Sequence, residues 1–111
     1  MAYAKKIGKS VEYQGESFTK SLIKENGTEW EDNEVAEFKL FDTAGNIVAT
    51  GSLIRSVDKL SLTFILGKTA TTNLFGVYRL LVYLSDTVVT EMNYVIAEYK
   101  LDYKKTTARN D

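Results

Sequence analysis

The chain has 111 residues, a formal net charge of −1 and 44% hydrophobic residues, with no cysteine, histidine or proline. That length gives one domain with a core of its own, while the missing residue types exclude a disulfide framework, a thiolate metal site, a thiol nucleophile and the commonest general base. No apolar run reaches the roughly 18 residues of a membrane span, and Met1-Ala2-Tyr3-Ala4-Lys5-Lys6 leads into no apolar segment, so the expectation is neither signal peptide nor membrane partner.

Charge is segregated along the chain. Residues 1–24 carry five lysines against Glu12 and Glu16, whereas residues 25–42 carry seven acids against Lys39. The composition of residues 1–9, with Lys5, Lys6, Gly8 and Lys9 and little periodicity, predicts an extended N-terminal arm. Val11–Tyr13 and Ser17–Lys24 read as short strands around Gln14-Gly15-Glu16, although Lys20 falls on the supposed inner face between Phe18 and Leu22; a bulge or an edge position would accommodate it. The acidic loop 25–33 holds the sole tryptophan, Trp30, placed at one end of the core.

From Glu34 the chain alternates, Ala36, Phe38 and Leu40 facing one way and Val35, Glu37, Lys39 and Phe41 the other, until Asp42-Thr43-Ala44-Gly45-Asn46 turns it. Ile47–Thr50 returns, Gly51 interrupts, and Ser52–Val57 either continues the pairing or crosses to a second sheet. Leu60, Leu62, Phe64 and Leu66 alternate with Ser61, Thr63 and Ile65 in a further strand, and Lys68–Asn73 makes a polar connection with room for one helical turn. In the strand from Leu74 to Leu84, Tyr78, Leu80, Val82 and Leu84 share the inner face, and Val77, Arg79, Leu81 and Tyr83 share the outer. A closing strand runs over Val88–Tyr103, with Val95, Ala97, Tyr99, Leu101 and Tyr103 inward, and 104–111 is a polar tail.

Seven to eight short strands at this spacing predict an all-β fold, an immunoglobulin-like antiparallel β-sandwich over residues 10–103. In such domains a tyrosine near the start of the sixth strand returns its hydroxyl to nearby backbone. Gly76 and Tyr78 are the candidates for that structural corner, and Leu80 stands where an antibody domain carries cysteine.

The run Glu34–Val48, a strand, an Asp-x-x-Gly turn and a strand, resembles the immunoglobulin-like domains of tailed-phage virion proteins, notably the amino-terminal domain of the phage baseplate upper protein family. Leu74-x-Gly76-x-Tyr78 is similar to the same pattern, and the resemblance spans roughly residues 16–103. Those proteins continue into a further region, whereas this chain stops soon after Tyr103, which suits a small accessory domain. The resemblance implies a non-enzymatic structural protein of a bacteriophage virion, assembled in the bacterial host cytoplasm. Its partners would be other virion proteins, on the capsid as a decoration or head-fibre anchor or on the tail baseplate, with a homo-oligomer as one arrangement.

The interface candidates are the outward residues of the central hairpin, Leu81 and Tyr83 with Met92, Tyr94 and Ile96, extended by Phe41, together with Lys5 and Lys6 of the arm. A one-residue slip across a bulge would instead make this cluster core. Three lysines in an overall acidic chain argue against a nucleic acid partner for the arm. Glu29, Glu31, Asp32 and Glu34 lack the spacing of a calcium loop, so no metal or other cofactor is expected. Glu37 with Glu98 or Asp102 is a conceivable carboxylate pairing for glycoside hydrolysis, and a small sandwich offers it little cleft; the protein is expected not to be an enzyme. The alternative reading is a carbohydrate-binding adhesion module stacking sugars on Trp30, Tyr83 and Tyr94.

Overall fold

A computed structural model describes residues 5–24, 27–86 and 93–105. Eight strands and one helical turn follow in chain order: β1 (Lys6–Tyr13), β2 (Phe18–Ile23), β3 (Glu34–Phe41), β4 (Ile47–Ser52), β5 (Ile54–Arg55), β6 (Ser61–Leu66), α1 (Lys68–Thr71), β7 (Gly76–Asp86) and β8 (Asn93–Lys104). They form an all-β sandwich of a five-stranded sheet, ordered β1-β8-β7-β3-β4, and a three-stranded sheet, ordered β2-β6-β5. The B-E-D against G-F-C-C′ arrangement of immunoglobulin-type sandwiches has this order. The added strand β1 departs from the antiparallel expectation, for it runs parallel to β8 with Lys6 beside Ala97 and Tyr13 beside Lys104. Residues 6–9, read from composition as part of an arm, are therefore the first half of a sheet strand. Among the described residues no helix is long and apolar enough to cross a membrane.

The core follows from the alternation of the central strands. Ala36, Phe38 and Leu40 of β3 and Leu80, Val82 and Leu84 of β7 meet Phe18, Leu22, Leu62, Phe64 and Leu66 of the small sheet. Phe64 is fully buried, with the rings of Phe18, Phe38 and Tyr99 at centroid distances of 5.9, 5.4 and 5.9 Å. Removing a side chain of this kind from water stabilises the fold by about 1.5–3 kcal/mol.

A five-stranded sheet overhangs a three-stranded one, so β1 and β4 lie at its flanks, β4 meeting β6 only in part. Neither contributes a fully buried residue to the core cluster, although Ala49 of β4 packs against it. Instead each overhanging strand places a glycine directly opposite an inward aromatic of its neighbour: Gly8 pairs with Tyr99 and Gly51 with Phe38. A Cβ at Gly8 would lie 2.8 Å from the Tyr99 ring, and one at Gly51 would lie 2.5 Å from the Phe38 ring. Both rings therefore lean out over the bare backbone and close the core at its flanks.

The connections are fixed by polar contacts. Asp42 Oδ1 accepts the N–H groups of Ala44 (3.0 Å) and Asn46 (2.9 Å), holding the β3–β4 turn. The chain crosses to the second sheet at Leu53, whose N–H still donates to Ala36 O (3.0 Å). Thr71 of α1 is fully buried and its hydroxyl donates to Glu16 O (3.0 Å), pinning the β1–β2 turn. Lys20, the inward-phase charge, sits on an edge strand and stays exposed, with its ammonium 5.7 Å from the Phe18 ring centroid.

Candidate functional site: the two outer sheet faces

The corner pair lies at the start of β7. Gly76 has φ +92°, a left-handed conformation that a side chain would strain, and this bend brings Phe75 back over the strand. The Phe75 N–H donates to the Tyr78 hydroxyl (3.3 Å), and the Tyr78 ring meets Tyr103 edge-on at 5.9 Å.

On the outer face of the large sheet, the register sets β3, β7 and β8 side by side in three rows: Phe41–Arg79–Lys100, Lys39–Leu81–Glu98 and Glu37–Tyr83–Val95. Charged side chains cover Leu81 and Tyr83 at the centre of this face, whereas Val35, Val77 and, on β1, Ile7, Val11 and Tyr13 stay exposed. The Lys39 ammonium lies 5.2 Å from the Tyr83 ring centroid and 3.9 Å from Glu37, while Glu98 takes Lys5 at 2.7 Å and Arg79 at 2.9 Å. Long basic stems laid across the strands shield apolar surface while their heads stay hydrated, and Leu81 beneath them is only 7% exposed.

Much of the expected hairpin patch is thereby dispersed. A bulge between Val82 and Tyr83 sets Tyr83 opposite Val95 and Leu84 opposite Tyr94. Tyr94 consequently packs against the core and Ile96, 3% exposed, belongs to it, while Val95, expected inward, comes to the outer face. Phe41 and Tyr83 are half-buried on the charged face, Lys5 is engaged with Glu98, Lys6 is exposed on β1, and Met92 lies outside the described residues.

The carboxylates weighed for hydrolysis also lie on this face. The ammonium of Lys5, donating to Glu98, holds that carboxyl below the ordinary glutamate range, with Arg79 adding to the effect. A general acid needs the opposite shift. Trp30, weighed as a sugar platform, is buried instead: its ring N–H donates to Leu22 O (3.3 Å), its backbone N–H to Lys59 O (2.7 Å), and Lys24 covers the ring at 5.3 Å. Near it a cleft of about 240 Å³ is lined by Glu31, Asp32, Glu34, Leu53, Arg55 and Leu62, among others. Arg55 closes on Asp32 (2.7 Å) and Lys24 on Glu34 (2.7 Å). The volume is below the about 300–1,000 Å³ of small-molecule pockets, and among the described residues no group of three potential ligands could hold a metal ion.

The outer face of the small sheet has a different character. Its outward residues are Thr19, Ser21 and Ile23 on β2, Ser61, Thr63 and Ile65 on β6, and Ile54 on β5 beside Thr63. Every one is uncharged. Ile23, Ile54 and Ile65 are 58%, 71% and 56% exposed, and the Ser21 and Thr63 hydroxyls share a hydrogen bond (2.7 Å) between them. Sequence reasoning missed this face, though the outward positions of 61–66 lack any charge. No family model and no curated protein matches the chain.

Proposed function

We propose that this sandwich is a non-enzymatic structural domain of a tailed-phage virion that docks on a capsid or tail subunit through the outer face of its three-stranded sheet. The virion context comes from the resemblance of residues 34–48 and 74–78; the observation that carries the docking reading is the contrast between the two faces. One intersperses its exposed Ile7, Val11 and Val35 with charged side chains and ion pairs, and the other presents three exposed isoleucines among hydroxyls with no charge at all. A flat apolar and hydroxyl-bearing surface on a particle subunit is its chemical complement.

Strand spacing and rise give this face about 300 Å², well below the roughly 800 Å² per partner of a stable binary complex. Attachment in many copies to a repeating surface compensates through avidity. The carbohydrate-binding alternative needs open ring faces, whereas Trp30 is buried and Tyr83 is covered by Lys39.

Cosedimentation of the purified chain with particles lacking it tests the proposal. The wild type is expected to pellet with the particles at saturating stoichiometry. Ile65→Lys and Ile54→Lys should keep the fold and lose binding, while Tyr83→Ser should bind as the wild type does. Undiminished binding by the folded lysine variants would refute the docking face.

A further inference from the structure

The two sheets end in four edge strands, β1, β4, β2 and β5. An open edge offers its N–H and C=O groups to any extended chain, and proteins blunt such edges with charge or by keeping them short. β1 carries Lys6, Lys9 and Glu12, β2 carries Lys20 in the inward phase, and β5 has two residues. β4 has neither charge nor such brevity, and its bulge at Val48 lies clear of Thr50–Ser52. From Thr43 through Ile54 no residue is charged, and Ile47 and Val48 are exposed.

The ladder with β3 fixes which backbone groups of β4 are open. Leu53 donates to Ala36 O, and Gly51 and Ala49 stand opposite Phe38 and Leu40. Alternation along an antiparallel pair then turns the groups of Gly51 and Ala49 toward β3 and those of Thr50 and Ser52 toward the open side. A bulge near Val48 ends this regular run at the turn.

We infer that β4 pairs antiparallel with β4 of a second copy, about a two-fold axis at Gly51, joining two five-stranded sheets into one. The strand is complementary to itself. In this register Thr50 of each copy stands opposite Ser52 of the other, so their outward N–H and C=O groups bond across the joint. Their hydroxyl side chains lie together on one face, where such pairs are favourable. With no charge on the strand, self-pairing opposes no like charges, whereas a charged foreign strand would find no counter-charge. Gly51 meets its counterpart where antiparallel strands approach most closely, about 4.5 Å between Cα atoms, and the Phe38 ring backs it from the core side. A six-residue strand buries little area, so the dimer forms at high local concentration, as on a crowded particle surface.

Sedimentation of the full chain over a concentration series tests this. The wild type should pass from monomer to dimer as concentration rises. Thr50→Pro removes an outward N–H without touching a β3 bond, and Ser52→Lys puts a charge into the joint; both should remain monomeric at concentrations where the wild type is dimeric, with unchanged circular dichroism. Should the proline variant not fold, Ser52→Lys decides alone. A wild type that stays monomeric throughout, or a folded Ser52→Lys variant that dimerises equally, overturns the inference. Ile65→Lys should dimerise normally, so failure of particle docking and failure of edge pairing are read separately.

Discussion

At the residue scale, Tyr103 stands out because its side chain is fully buried and its hydroxyl has no hydrogen-bond partner among the described residues. Such an orphaned group costs about 1–3 kcal/mol. Tyr103→Phe keeps the ring against Tyr78 and should raise stability by about 1 kcal/mol in urea unfolding. Burial, with the negative charge of Glu12 adding to it, holds the Tyr103 phenol well above its ordinary value. A group raised in the folded state contributes stability that is intact below its unfolded pKa of about 10 and is lost as pH rises through the folded value. The wild type should accordingly lose stability above about pH 10, and Tyr103→Phe should flatten that limb. An unchanged alkaline limb in the variant would count against Tyr103 as its source.

At the element scale, the overhanging strands depend on glycine-for-ring exchanges. Gly51→Ala forces a shift of the nearly buried Phe38 ring and should cost about 1–3 kcal/mol, the usual penalty for overpacking. In a Phe38→Leu background the same alanine should cost clearly less, because the atoms it meets are gone. Equal costs in both backgrounds would show that the ring contact is not the cause.

These elements were unequally legible in the sequence. β3, β6 and β7 alternate cleanly because both of their faces have a defined fate, core on one side and water on the other. The misplaced Lys20 and the Asp42–Asn46 turn were equally readable, since each rests on local chemistry. The first half of β1 was not, although Val11–Tyr13 read as a strand, for the inward residues Lys6, Gly8, Ser10 and Glu12 are polar or small while Ile7, Val11 and Tyr13 face outward. This overhanging strand buries neither face against a second layer, so the pattern carries no inside. The bulge at Ile96 escaped for a related reason: Val95, Ile96 and Ala97 are consecutive apolar residues, and alternation cannot choose between the two phases. The covering of Leu81 and Tyr83 depends on cross-strand neighbours, which register supplies and spacing within one strand does not.

At the scale of the whole molecule, the parallel pairing of β1 with β8 puts Lys5 and Lys105 at opposite ends of one shared ladder, about 30 Å apart by strand rise. Tension applied between those two points pulls the strands past one another, so their hydrogen bonds are loaded together instead of opening one by one as in a hairpin. The domain is thereby suited to sit in line with a mechanical load. In single-molecule pulling, force applied between residues 5 and 105 should unfold it at markedly higher force than the same pull applied across the β3–β4 turn; equal forces in the two directions would mean that β1 peels away before the ladder is stressed.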